Sequence, residues 1–139
     1  MAEDPLPVVS RASTWRSWVG VGVICAAAGW LTLLAYREGL PSIFQRVPQF
    51  DKVVHFTIGG LLALFLDGAL RHRSAFTIAG VAIPVAALLV LVPAGIEEFL
   101  QRYSVHRTSS IYDFVADLLG VVLLLSLSRR VRRARRVDQ

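Results

Sequence analysis

Between Ile96 and Gly120 the chain reads IEEFLQRYSVHRTSSIYDFVADLLG, which sets Glu97, Glu98, Gln101, Arg107, Asp113 and Asp117 at the junction of two strongly apolar segments. An acid held at a bilayer centre costs about 2.5–3.5 kcal/mol on insertion scales. A chain that keeps several acids beside hydrocarbon either shelters them from lipid or uses them. Further upstream, Asp51, Lys52 and His55 open another apolar run. On helices, Asp51 and His55 share a face, as do Asp113 and Asp117, and as do Glu98 and Gln101. An arginine beside helix N-termini suits an anion such as a lipid phosphate. The carboxylates could instead hold Mg²⁺ or Ca²⁺ through oxygen, or relay protons. The residue types alone do not choose among these.

Each residue also has a plainer use. Asp51 and Asp113 are placed as helix caps, with Ser110-x-x-Asp113 reading as a capping box. Lys52 and Arg102 fit the pattern of side chains that snorkel to an interface. One of Glu97 and Glu98 is expected simply to mark the wet end of its helix. His55 is equally well read as a satisfied histidine between helices. Asp117 is the hardest to explain away: an acid about 6 Å inside a span needs a partner, and Arg107, Gln101 and His55 are the candidates. Tyr103 and His106 read as loop residues. Asp67 lies four residues before Arg71 and reads as an interfacial ion pair.

The elements that would position these groups follow from composition. Of 139 residues, 55% are hydrophobic, above the 45–50% or so of soluble domains, and they fall in blocks rather than alternating. The expected fold is all-α: an integral membrane four-helix bundle with both termini cytoplasmic. Spans are expected at Ser17–Tyr36, Asp51–Leu70, Ala75–Gln101 and Ile111–Ser128, with the third interrupted by Pro84 and Pro93. This divides the chain into an N-terminal cytoplasmic tail (1–16), a membrane domain (17–128) and a basic cytoplasmic tail (129–139). The run SIFQRV in the first loop is amphipathic enough to lie on a membrane surface. Cys25, the single cysteine, excludes an internal disulfide and reads as a buried, inert thiol. The first span is too long for a signal-peptide core and reads as an uncleaved anchor.

Orientation follows from charge. Ten of the fifteen Lys and Arg residues fall on the side of the termini, which the positive-inside rule places in the cytoplasm. Arg129, Arg130, Arg132, Arg133, Arg135 and Arg136 then form a tail that meets anionic headgroups, a nearer partner than nucleic acid. The start of span two, the end of span three and the start of span four consequently share the extracytoplasmic face. Asp51, Lys52, His55, Glu98, Gln101, Arg107, Asp113 and Asp117 would line one polar pocket there. The chain has no HExxH, GxSxG, Gly-rich phosphate loop or thiol pair, so binding is favoured over turnover.

The strings DKVVHF, EEFLQ, RTSSIYD and FVADLLG, in this order, resemble the VanZ-like family of small multi-span bacterial membrane proteins. The resemblance runs from about Asp51 to Leu125 and maps the family pattern onto Asp51, Lys52, His55, Phe56, Glu98, Gln101, Arg107, Asp113, Asp117 and Gly120. One position departs: the family usually shows Asn where this chain has Asp117. What the resemblance implies is a multi-pass protein of the bacterial inner membrane, related to glycopeptide (teicoplanin) resistance proteins. Such a protein would act near a lipid-linked envelope precursor; with the residue reading above, the expected partners are membrane lipids or that precursor, with no cofactor beyond the divalent cation the carboxylates could hold. A membrane enzyme acting on lipid headgroups, and a small accessory subunit of a larger membrane complex, are the alternatives.

Overall fold

The computed structural model describes residues 11–37, 49–103 and 110–137. Among these residues the chain is mostly helical. Helices α1 (Arg11–Arg37), α2 (Phe50–Ala69), α3 (Val85–Gln101) and α4 (Ile111–Val137) are joined by one antiparallel pair of strands, β1 (Ser74–Ile78) and β2 (Val81–Pro84). Stretches of α1, α2 and α4 are long and apolar enough to cross a membrane: Thr14–Leu34, Phe50–Ala69 and Ile111–Ala134.

The distribution of side chains is inverted relative to a water-soluble protein. The buried apolar residues are mostly small, with Ala63, Ala69, Ala86, Ala87 and Ala116 among them, and five buried residues are polar. The large apolar side chains point outward, including Trp30, Leu33, Val92, Ile96 and Leu119. In lipid, large apolar groups gain nothing by hiding, and helices associate through close backbone approach and polar contacts. The apolar core is correspondingly compact: Ala63, Ala87, Val90, Val121 and Leu125, flanked by Leu62, Leu66 and Leu91.

Helices α2 and α4 run parallel and form the most extensive interface. Pairs advance together along both: Lys52 with Asp113, His55 with Asp117, Asp67 with Arg132. Between the first two pairs and the last, glycine makes the crossing possible. A Cβ on Gly60 would lie 2.9 Å from the Gly120 carbonyl oxygen, and one on Gly120 would collide with the Phe56 carbonyl oxygen. Helix α3 runs the other way, with Gly95 against Phe114 near one end and Arg129 donating to the Ala82 carbonyl just before the other. Helix α1 packs on α2, with Gly20 against Phe65 and Gly68 against Ser17.

Several sequence expectations change here. The third span does not begin as a helix at Ala75. Residues 74–84 form the hairpin, and α3 is 17 residues, about 25 Å long. The reason is local: Thr77, Ile78, Val81 and Ile83 are β-branched, and Ala79-Gly80 turns with both φ angles positive (48° and 78°), the backbone of a two-residue hairpin loop. Pro84 ends the strand and serves as the N-cap of α3, while Pro93 stays inside it. Helix α1 starts before residue 17, and α4 continues past residue 128 through the basic segment, so both expected tail boundaries fall inside helices. Asp51 is not a cap. Gln49 holds that position with a left-handed backbone (φ 57°) and no side-chain hydrogen bond. Cys25 is exposed rather than buried, because α1 packs through Gly20 and Ser17 and leaves that face outward. The SIFQRV run lies outside the described residues.

Candidate functional site

The N-terminal turns of α2 and α4 and the C-terminal turn of α3 meet at one end of the structure. Parallel packing puts the starts of α2 and α4 level, and the antiparallel α3 brings its last turn to the same height. Glu98, Gln101, Asp113 and Asp117 are all buried there, with Gln101 only 1% exposed. Lys52 and His55 are half-buried and Asp51 lies at the edge.

The contacts decide between functional and plain readings residue by residue. His55 Nδ1 lies 2.9 Å from Asp117 Oδ2, so His55 is a partner that Asp117 requires. Lys52 Nζ sits 3.0 Å from Asp51 Oδ2 and 3.4 Å from Asp113 Oδ1. It bridges two acids instead of snorkelling. Glu98 Oε2 accepts the Ser110 backbone N–H at 2.9 Å. That amide is the one the capping box assigned to Asp113, so α4 is capped from α3, by a residue in the last turn of the neighbouring helix. Gln101 Nε2 donates to Glu97 Oε1 at 3.3 Å. Arg102 lies over the Phe99 ring at 5.6 Å, and Phe99 meets the exposed Tyr103 edge to face. Arg107 and His106 lie outside the described residues.

Three buried oxygens in this layer have no hydrogen-bond partner among the described residues: Glu98 Oε1, Gln101 Oε1 and Asp113 Oδ1, the last ion-paired with the Lys52 ammonium at 3.4 Å. Such groups are costly unless something meets them. A cavity of about 250 Å³ adjoins the layer, with walls from all four helices. Leu31, Val54, Ile58 and Pro93 supply apolar surface, and Asp51, His55, Glu97 and Asp117 supply the polar end.

The structure holds a second polar cluster that the sequence reading missed. At the opposite end of α2, Asp67 is 3% exposed. Its Oδ2 lies 2.7 Å from His72 Nδ1 and 3.3 Å from Arg132 Nη1. These, not Arg71, are the described partners of Asp67. Arg71 and His72 adopt positive φ (54° and 61°), and this turn swings His72 back onto the helix end. Arg132 is also held by Ser128 Oγ at 2.7 Å. Of the arginines assigned to headgroups, Arg129 and Arg132 thus face the protein, while Arg130 and Arg133 are exposed and the side chains of Arg135 and Arg136 lie outside the described set. Replacing Arg132 by alanine is expected to lower stability by about 1–2 kcal/mol, because a buried carboxylate loses a charged donor, whereas Arg130→Ala should leave thermal unfolding in detergent unchanged.

No family model matches the chain, and no solved structure does. The chain is 32% identical over 114 residues to an uncharacterized protein of Schizosaccharomyces pombe. That alignment covers 77% of this chain, which spans 64% of the relative's length.

Proposed function

We propose that this is a VanZ-like, four-span protein of the bacterial inner membrane that binds a phosphate-bearing lipid or lipid-linked envelope precursor. The observation that carries the reading is the convergence of polar groups from α2, α3 and α4 beside a cavity whose other walls are apolar. An acyl or prenyl chain would lie along Leu31, Val54 and Ile58, with its headgroup at the polar layer. In this reading α3, at 17 residues, is also a span, third in chain order, at the short end of the roughly 17–25 residues a crossing helix uses. The bias of Lys and Arg places both termini in the cytoplasm and the polar layer beneath the outer headgroups. Open strand edges are not stable in hydrocarbon, so the β1–β2 hairpin belongs at the cytoplasmic interface.

In this arrangement Arg107, which lies in sequence between Gln101 and Asp113, receives the phosphate. Glu98 and Asp113 hold the two helix ends together beneath it. The relation to teicoplanin resistance proteins rests on the same residues. The test compares a polyprenyl phosphate with the corresponding polyprenol, using purified protein and native mass spectrometry. The phosphate is expected to be retained and the alcohol lost, and Arg107→Ala should weaken retention at least tenfold. Equal retention of both lipids, or indifference to Arg107→Ala, would reject the reading.

A further inference from the structure

We infer that His55, Glu98 and Asp113 form a binding site for a divalent transition-metal ion of the Zn²⁺ or Mn²⁺ kind. One donor atom from each residue lies within 4.8 Å of the others, and they come from three different helices. Tetrahedral Zn–N and Zn–O bonds of about 2.0–2.2 Å hold donors roughly 3.4 Å apart, so the widest pair must close by up to about 1.4 Å. The side chains are carried on helix ends, where such a shift is accessible.

The second observation is independent of the clustering. Glu98 is 7% exposed and Asp113 4% exposed, yet among the described residues Glu98 Oε1 has no partner and Asp113 Oδ1 has only the Lys52 ammonium at 3.4 Å. Glu98 Oε2 is already committed to the Ser110 amide, so Oε1 is the oxygen left for a ligand. Gln101, one turn further along the same face of α3, adds another unpartnered buried oxygen. Among the described residues of this layer, the acids Asp51, Glu98, Asp113 and Asp117 outnumber the one lysine, Lys52. A divalent ion answers that imbalance.

The surroundings of His55 fit the same role. Asp117 Oδ2 lies 2.9 Å from Nδ1, and in the tautomer in which Nδ1 donates to it, the Nε2 lone pair is left for coordination. A carboxylate behind a metal-bound imidazole fixes its tautomer and raises its basicity. The donor set indicates the metal: an imidazole favours Zn²⁺ or another transition metal, whereas Mg²⁺ and Ca²⁺ take oxygen shells. The adjoining cavity reaches His55 and gives the ion a way in. Lys52 Nζ, 3.4 Å from Asp113 Oδ1, competes with the ion for that carboxylate.

The site stands without the lipid reading, so it is tested without lipid. Full-length protein in a neutral detergent is titrated with Zn²⁺, Mn²⁺, Mg²⁺ and Ca²⁺ against a competing chelator, and folding is followed by circular dichroism. The expected result is one Zn²⁺ per chain, weaker Mn²⁺, and no competition from Mg²⁺ or Ca²⁺. Asp117→Asn should weaken Zn²⁺ about 10–100-fold, and Lys52→Gln should tighten it several-fold. Glu98→Gln, which keeps an acceptor for the Ser110 amide and so preserves the α4 cap, should abolish high-affinity binding. No Zn²⁺ binding by folded protein at millimolar ion overturns the inference, as does binding indifferent to both Glu98→Gln and Asp113→Asn. A protein that takes up Zn²⁺ but does not discriminate the lipid phosphate would retain the metal site and lose the lipid function.

Discussion

Gly120→Ala is expected to destroy the packing of α2 on α4 and to yield little folded protein. A methyl at this position meets the Phe56 carbonyl oxygen at sub-contact distance, with the Gly60 nitrogen at 3.2 Å. Both neighbours are backbone, and within α2 that carbonyl is the acceptor for the Gly60 N–H in the ordinary helical ladder. Neither can rotate away as a side chain would. The helices must separate or the ladder must break. Overpacking a core typically costs about 1–3 kcal/mol, and a clash with rigid backbone belongs at or above the top of that range. Because α2 and α4 also carry His55, Asp113 and Asp117, their separation should remove ligand binding together with stability. Gly22→Ala and Gly29→Ala are the internal controls. Each has nothing within 4 Å of an added Cβ, and alanine is about 1 kcal/mol better than glycine inside a helix. Thermal unfolding and size-exclusion profiles in detergent provide the readout. A Gly120→Ala protein that unfolds at the temperature of these controls would show that the crossing is looser than described.

His55→Leu is the second large effect. It leaves Asp117, 5% exposed, facing a leucine where it had an imidazole at 2.9 Å. Removing one member of a buried polar pair costs about 3–5 kcal/mol, chiefly because the other charge is left unanswered. The companion substitution Asp117→Asn should then restore much of the loss, since it removes the charge and keeps the shape. Shape matters at this position. Asp117 Oδ1 lies 2.6 Å from where a Cβ on Gly59 would be, so the side chain fills the space the glycine vacates, and asparagine is its isostere. The checking measurement is the unfolding temperature of His55→Leu against His55→Leu/Asp117→Asn. If the double variant is no more stable than the single, the damage comes from lost packing and not from the stranded acid.

These effects rest on features of different legibility. The grouping of Asp51, Lys52, His55, Glu98, Gln101, Asp113 and Asp117 was readable because helical spacing and the alternation of apolar blocks fix which residues share a face and a depth. The partners within the group were not. Asp117 had three candidates, and only the parallel register of α2 and α4 selected His55. Glu98 read as a residue of the polar pocket, and it is also the cap of α4, a contact between chain segments that local motifs cannot register. The Asp67 cluster was misread for the same reason: a four-residue spacing suggested Arg71, whereas a left-handed turn and a helix sixty-five residues away supply His72 and Arg132.

By itself, the sequence determined that this chain is helical and apolar enough to enter a membrane, and that its acids lie at helix ends. Those properties depend on composition and period, which each segment carries alone. Tertiary structure alone decided that Gly60 and Gly120 let two backbones touch. It also decided which buried oxygens meet a donor and which meet none among the described residues. Each of these depends on the distance between segments far apart in the chain, and that distance is set by how the helices pack.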